Sequence, residues 1–244
     1  MNGGVSVRGL SVALGGQPVV RRLSFDAPAG VWFGVLGVNG SGKTTLLRTL
    51  AGRLEASEGL VRIAGEDLGG DRRARARRIG FMPDQADLPN LLTGRDLVDL
   101  LTLSRGGEAG LAREAHDLLG VGPLRGLRIG AMSSGMRQRL AVWSAFVGER
   151  PVLVLDEPFN WLDPIAAHDL RTLLRRAAGE GRTVITTLHD AAAFVLNCAE
   201  GMVLHEGEVL RRYEAGALPG LRGDIAAFEA DLYAAMTGRR SRPA

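Results

Sequence analysis

The sequence is poor in cysteine and has no long apolar run. Cys198 is the single cysteine, which excludes a disulfide framework and a zinc site built from several cysteines. Because the apolar residues 194–196 precede it, we expect a packed core thiol rather than a reactive one. No apolar stretch reaches the roughly 18 residues that a membrane span needs, and residues 1–4 do not begin a signal peptide. We therefore expect a chain without a membrane span of its own.

Lysine is equally scarce, since arginine supplies almost all of the basic charge. The 244 residues carry a formal net charge of +3, and Lys43 is the only lysine among them. Every other position of permanent positive charge in the sequence is an arginine. The compact ammonium of Lys43 therefore indicates a position that needs a point charge. The composition, 45% hydrophobic and 23% charged, suits a sizeable core in one large domain or two small ones.

Lys43 belongs to residues 37–44, Gly-Val-Asn-Gly-Ser-Gly-Lys-Thr, which fit the phosphate-binding pattern G-x-x-x-x-G-K-[ST]. The apolar residues 31–36 before it predict a buried strand, and residues 44–51 predict a helix. A strand, a glycine loop and a helix turn a row of backbone N–H groups toward one anion. The pattern predicts that Lys43 reaches the β- and γ-phosphates of a nucleotide and that the Thr44 hydroxyl binds Mg²⁺. A glycine-rich turn that matches by chance is the alternative.

A second group of candidate residues follows two later strands. The apolar residues 152–155 predict a buried strand that ends in Asp156 and Glu157, the edge at which a parallel sheet presents groups to a ligand. Asp156 would hold Mg²⁺, directly or through water, and Glu157 would polarise the attacking water. A strand-end cap or turn is the simpler interpretation of the two acids. His189, after the strand predicted at 183–187, could sense a γ-phosphate. A lone histidine is more often a packed or capping residue, and only its place after the other two motifs favours the functional interpretation.

The rest of the chain alternates predicted strands and helices. Residues 5–11 and 19–25 predict an antiparallel hairpin with its turn at 15–18. The arginine-rich residues 72–78 predict a solvated helix face, with a docking patch for an acidic partner or for lipid head groups as the alternative. Residues 91–140 predict a mostly helical insertion between two strands. The alternation predicts a parallel sheet covered by helices on both faces.

One further stretch gives these pieces a common context. Residues 132–139, Met-Ser-Ser-Gly-Met-Arg-Gln-Arg, span the start of a helix predicted from residue 136. Alone they would be an ordinary helix start, with Ser133 or Ser134 as the cap. Lying between the glycine loop and the acidic strand, they resemble the signature stretch of the nucleotide-binding subunit of ABC transporters. The resemblance runs from about residue 5 to residue 207.

The resemblance implies an α/β fold: a P-loop NTPase core with a mainly parallel sheet, an N-terminal antiparallel β subdomain and an inserted helical subdomain at about 86–140. In domain terms it implies an ATPase domain over 1–218, with a C-terminal helix and tail over 219–244. It also implies ATP and Mg²⁺ as cofactors. A head-to-tail dimer is implied as well, in which the signature helix of one copy faces the γ-phosphate held by the other.

The resemblance assigns a role to each candidate residue. The implied catalytic residues are Glu157, His189 and Lys43. The implied nucleotide-binding residues are Gly37, Asn39, Gly40, Ser41, Gly42, Lys43, Thr44, Thr45, Ser133 and Gly135. The implied metal ligands are Thr44, Asp156 and Asp84.

Three positions depart from the family pattern. Asp84 occupies the place of a glutamine, and Gln85 could take that role if the loop shifts by one residue. Leu14 stands near the place of an aromatic that stacks on adenine, which leaves nucleotide selectivity open. Trp161 is bulkier than the small residue usual in the loop that faces the partner, and it could contact either that partner or the core.

The function implied is that of an ATP-hydrolysing subunit that powers export through a separate membrane permease. Such a subunit would lie on the cytoplasmic face of the membrane, bound to the permease, with no nucleic-acid partner expected. Export is favoured over import by the C-terminal helix predicted at 224–236, which resembles the tail of prokaryotic exporter ATPases. A non-transport ABC-type ATPase, related to translation or DNA repair, and a regulatory subunit with weak hydrolysis are the alternatives.

Overall fold

The computed structural model describes residues 4–68, 71–108 and 110–237, in which the strands form two sheets. The strands are β1 (Val5–Leu14), β2 (Gln17–Ala27), β3 (Trp32–Leu36), β4 (Glu58–Ile63), β5 (Glu66–Asp67), β6 (Ile79–Phe81), β7 (Val152–Leu155), β8 (Thr183–Leu188), β9 (Glu200–His205) and β10 (Glu208–Tyr213). The helices are α1 (Lys43–Leu50), α2 (Arg72–Arg78), α3 (Gly94–Arg105), α4 (Leu111–Leu118), α5 (Ser134–Phe146), α6 (Pro164–Gly179), α7 (Ala191–Asn197), α8 (Ala217–Gly220) and α9 (Ile225–Thr237). Most of the predicted tail, residues 238–244, lies outside the described residues.

The first sheet is antiparallel and has the order β2-β1-β4-β5. Its hairpin was predicted, but the turn is tighter than expected, because Gln17 already pairs with Leu14. Only Gly15 and Gly16 make the turn, with φ values of 56° and 81°. Two successive positive φ angles match the twist of a two-residue hairpin, and glycine adopts them without a steric penalty.

The second sheet has the order β10-β9-β3-β8-β7-β6 and is parallel except for the edge strand β10. The mainly parallel α/β core predicted from the strand–helix alternation is therefore confirmed. Parallel strands end at the same edge of a sheet, and ligands bind outside their carboxyl ends. The loops that follow β3, β7 and β8 carry the predicted phosphate loop, the two acids and His189.

The core lies on both faces of this parallel sheet, as strand β3 illustrates. Its side chains alternate, because successive residues of a strand point to opposite faces. Trp32 and Leu36 join a cluster with the helical part of the chain, whereas Phe33 and Val35 join the cluster that the antiparallel sheet covers. On that second face the rings of Phe25 and Phe33 stack with centroids 5.4 Å apart.

The chain between β6 and β7 is helical, as predicted. Thr93 begins α3 with a capping box: the Thr93 hydroxyl accepts the Asp96 N–H, and the Asp96 carboxylate accepts the Thr93 N–H. Helix α5 begins at Ser134 rather than at the predicted residue 136, because Ser133 caps it. None of the helices in the described ranges is long and apolar enough to cross a bilayer.

The solvated face predicted for the arginine-rich residues 72–78 is only partly confirmed in helix α2. Arg75 is 1% exposed, so a fully solvated face is wrong at this residue. Its guanidinium donates to Thr49 O at 3.0 Å, and Arg72 donates to Gly52 O at 2.9 Å. Thr49 lies in the last turn of α1 and Gly52 just beyond its end, where a positive charge is favourable. Burial lowers the pKa of the Arg75 guanidinium.

Cys198 provides a test of the core packing. The side chain is fully buried, as predicted, and burial raises the pKa of its thiol. Because the thiolate is the reactive form, we expect the native protein to react with a thiol reagent about 100-fold or more slowly than an exposed cysteine does. The control variant is Leu196→Cys, since Leu196 is 48% exposed only two residues away. Prompt labelling of folded wild-type protein, with circular dichroism unchanged, would contradict this packing.

Candidate functional site

The loop between β3 and α1 is fixed to its surroundings by backbone hydrogen bonds. Gly37 N donates to Leu188 O at the end of β8, and Gly207 N donates to Ser41 O at 3.0 Å. Gly42, with φ of 101°, directly precedes α1, whose N-terminus has no side-chain cap. The first amides of α1 are therefore left for an external acceptor, which is the arrangement that binds phosphate.

Lys43 lies over this loop instead of extending into solvent. Its Nζ donates to Gly37 O at 2.7 Å and to Val38 O at 3.2 Å, and the residue is only 5% exposed. The same Nζ is 3.5 Å from Oε1 of Glu157. An ammonium from the start of α1 thus meets a carboxylate that follows β7.

Hydrogen bonds hold both acids that follow β7. Glu157 N donates to Thr187 Oγ1 at 2.7 Å, and the Thr187 hydroxyl donates to the Asp156 carboxylate. Asn160 Nδ2 donates to Glu157 Oε2 at 2.7 Å, and His189 Nδ1 is 3.8 Å from the same oxygen. Glu157 has φ of 44°, a left-handed conformation that costs a residue other than glycine about 1–3 kcal/mol. Such strain is found most often at functional sites.

A cavity of about 220 Å³ opens beside these groups. It is lined by Thr44, Arg48, Phe81, Met82, Asp84, Gln85, Gln138, Asp156, Glu157, Asn160 and Trp161. All three residues predicted as metal ligands therefore lie around one space, together with the predicted base. His189 touches this group through Glu157 but lines a neighbouring cleft, together with Gly37 and Tyr233. Gln138 and Asn160 line the cavity although the sequence did not single them out.

The two residues that compete for the glutamine position have different surroundings. Asp84 is exposed, and its carboxylate accepts the Ala86 N–H at 2.8 Å, which caps a short 3-10 turn. Within the described residues, Oε1 of Gln85 is buried and has no hydrogen-bond partner. A buried acceptor without a donor is costly, so this oxygen is available to a donor or a cation in the adjacent cavity.

The donors around the cavity suit Mg²⁺. Thr44, Asp156, Asp84 and Gln85 offer hydroxyl, carboxylate and amide oxygens, the hard ligands that this ion prefers. Within the described ranges, no group of three or more His, Cys, Asp or Glu side chains could hold a metal ion by itself. Mg²⁺ keeps several waters and shares its coordination with substrate phosphates, so it needs few oxygen ligands from a protein.

Ser133 and Gly135, the two signature residues predicted to bind nucleotide, lie outside this cavity. Ser133 is exposed and caps α5, accepting the Met136 N–H at 3.2 Å. A Cβ on Gly135 would lie 2.8 Å from Trp161 O, so this helix start packs closely on the loop after Asn160. Neither Ser133 nor Gly135 lines the cavity described above. A single copy of the chain does not bring these two residues to this cavity.

The other predicted nucleotide-binding residues lie between the end of β3 and the first turn of α1. Asn39 and Gly40 are exposed, whereas Thr45 is buried in α1. Ser41 is buried, and its hydroxyl has no partner among the described residues. Leu14, at 44% exposure, stands at the end of the β1–β2 hairpin.

This combination defines a class of protein. A glycine loop between a strand and a helix, with a lysine that meets an acidic strand end across a parallel sheet, is the site of a P-loop nucleotide-binding ATPase. The sequence profile described as "ABC transporter" matches residues 20–160. The chain belongs to the ABC transporter family, as its ATP-binding cassette.

Two relatives show the extent of the similarity. The Nod factor export ATP-binding protein I of Burkholderia orbicola (strain AU 1054) is 34% identical over 212 residues, which cover 83% of this chain and 68% of that protein. The ATP-binding cassette sub-family A member 7 of Mus musculus is 34% identical over 207 residues, 82% of this chain but 10% of that protein. The chain thus spans about a tenth of the length of the mouse protein.

Solved structures share the fold. An ATP-binding subunit of an ABC transporter superposes with a TM-score of 0.83 at 25% identity, covering 96% of this chain and 99% of that one. A dimeric ATP-binding cassette, MJ0796, in a post-hydrolysis state with ADP and Pi superposes with a TM-score of 0.76 at 23% identity, covering 86% and 98%. The predicted fold class and family are confirmed.

Gly37 provides a test of the loop geometry. A Cβ there would lie 2.4 Å from Leu204 O and 2.6 Å from Ser41 Oγ, so Gly37→Ala must displace the loop. We expect ATP affinity to fall by about tenfold or more, because the N–H groups of the displaced loop no longer point to the same phosphate. Calorimetric titration measures this affinity. Gly126→Ala, where an added Cβ meets nothing within 4 Å, is the matched control. Equal affinity in both variants would show that this close packing does not shape the loop.

Proposed function

We propose that this chain binds and hydrolyses ATP to drive export through a separate membrane permease. The observation that carries the proposal is the convergence of Lys43, Glu157 and Asp156 where the loops after β3 and β7 meet. The name of the Nod factor export relative supports the direction of transport. The substrate would be determined by the permease.

In this proposal the loop residues hold the nucleotide. The amides between Gly37 and Thr45, with the Lys43 ammonium, bind the β- and γ-phosphates, and the signature residues of a second copy complete the site. Thr44 and Asp156 hold Mg²⁺, with Asp84 or Gln85 adding an oxygen. The bound ion would neutralise the charge of the β- and γ-phosphate oxygens.

Glu157 acts on water. Its carboxylate, held at the end of β7, accepts a proton from the water that attacks the γ-phosphate, while His189 contacts that phosphate. In the structure Lys43 is 3.5 Å from this carboxylate. Phosphates are the stronger competitors for an ammonium, so nucleotide binding would draw Lys43 away and leave Glu157 free to accept a proton.

We further propose a head-to-tail dimer. Ser133 and Gly135 of one copy would face the γ-phosphate held by Lys43 of the other, because the first backbone amides of a helix suit an anion. The exposure of Ser133, away from the cavity of its own chain, supports this pairing. The dimeric cassette of similar fold supports it as well.

The permease would bind beside the helical subdomain, near residues 84–93. Leu91 in this segment is 84% exposed, a large apolar side chain that a partner could cover. The chain would then lie on the cytoplasmic face of the membrane, attached through the permease. We also propose the domain division given above, with residues 1–218 as the ATPase domain. Copurification with the permease and substrate-stimulated ATPase activity would test this assembly.

The catalytic assignment has a direct test in Glu157→Gln. The amide keeps the size of the side chain but cannot accept the proton, so we expect kcat to fall about 100-fold or more. ATP affinity should be retained, since the loop and Lys43 remain. The measurements are phosphate release and calorimetric ATP titration, with Glu180→Gln, a surface carboxylate paired to Arg176, as the control. Hydrolysis at the wild-type rate would remove Glu157 from the mechanism.

A further inference from the structure

We infer that Asn160 is a positioning residue that keeps the Glu157 carboxylate in place when nucleotide occupies the site. The inference rests on the proposed function of Glu157 as the base. Asn160 Nδ2 donates to Glu157 Oε2 at 2.7 Å, and both residues line the same cavity. It is the shortest contact that the described structure gives to this carboxylate.

The other two neighbours of the carboxylate hold it less firmly. Lys43 Nζ is 3.5 Å from Oε1, and the same ammonium is already bonded to two carbonyls of its own loop. His189 Nδ1 is 3.8 Å from Oε2, beyond hydrogen-bond distance, and its side chain is more than half exposed. If phosphate takes Lys43, the amide of Asn160 is the donor that remains at bonding distance.

The backbone fixes where this amide lies. Asn160 N donates to Glu157 O at 3.2 Å, so residues 157–160 form a closed turn. Gln138 is 3% exposed and donates from Nε2 to Pro158 O at 3.1 Å, which ties this turn to α5. The side chain of Asn160 has only two rotatable bonds beyond this anchored backbone, so little freedom is lost when its hydrogen bond forms.

The chemistry favours a neutral donor at this position. A γ-phosphate repels a nearby carboxylate, which would move toward solvent unless something holds it. An arginine or lysine could hold it but would also compete for the phosphate. An amide N–H donates to Oε2 without adding charge, and it leaves Oε1 free to accept the proton. A catalytic group misplaced by about 1 Å can lower the rate about 100-fold. The hydrogen bond from Asn160 to the Glu157 carboxylate should therefore affect kcat rather than ATP binding.

The experiment compares Asn160→Ala and Asn160→Asp with wild type in steady-state ATPase assays. Aspartate keeps the shape but removes the donor and adds repulsion. We expect both variants to lower kcat by about tenfold or more, with Asp the more severe, while KM and the calorimetric Kd for ATP change by less than about twofold. Asn197→Ala, which loses a 2.8 Å bond to Ala193 O on α7, should match wild type.

A double-mutant cycle with Glu157→Gln tests whether Asn160 affects kcat through Glu157. If Asn160 acts through Glu157, adding Asn160→Ala to Glu157→Gln should leave the residual rate unchanged. The inference is overturned if Asn160→Ala keeps kcat within about twofold of wild type, if KM rises in proportion to the loss of kcat, or if the same fold-loss persists beside Glu157→Gln. Thermal melts identify a variant that does not fold, in which case Asn160→Ser, tested by the same criteria, replaces it. Should Glu157→Gln itself remain active, the proposed base fails, which is a separate outcome.

Discussion

The proposed site is organised around the contact between the Lys43 ammonium and the Glu157 carboxylate, because it joins two segments that lie far apart in the sequence. Strand β8 lies between β3 and β7, so the two side chains reach across it at the carboxyl edge of the sheet. The hydroxyl of Thr187, near the end of β8, accepts the backbone N–H of Glu157 and donates to the Asp156 carboxylate. Residues that follow or end three neighbouring strands thereby determine the position of one ion pair. The pair lies at the carboxyl edge of the sheet, where a phosphate would bind.

The fold and the position of the phosphate loop could be predicted from the sequence because both follow from local patterns. The apolar residues of β3 and β7, each followed by polar residues, indicate parallel strands that present ligand groups at one edge. The glycines before Lys43 are a local steric requirement, and Ser133 is a local cap. The start of α5 was predicted two residues too late, because the helix was begun at Met136 and not directly after its cap, Ser133.

What could not be predicted depends on contacts between distant segments. The burial of Arg75 follows from α2 packing on the end of α1, which no charge pattern within α2 reveals. The vacant acceptor on Gln85 depends on the path of the loop after β6. Asn160 and Gln138 belong to motifs that were recognised, and their closeness to Glu157 and Gly135 was the available signal. Sequence indicates the polar groups, but only the packed structure shows which group each one meets.

The same packing links the two ends of the proposed site. Helix α5 contacts the loop after β7 at three places: Gly135 against Trp161 O, Gln138 to Pro158 O, and an ion pair of Arg139 with Asp163. In the proposed dimer the start of α5 would close on the partner's nucleotide, while this loop holds Glu157 beside its own. These three contacts offer a route of a few residues by which one site could affect the other, because packed side chains transmit displacement. Closure at one phosphate would therefore reach the carboxylate at the other through Gln138 and the turn that it anchors.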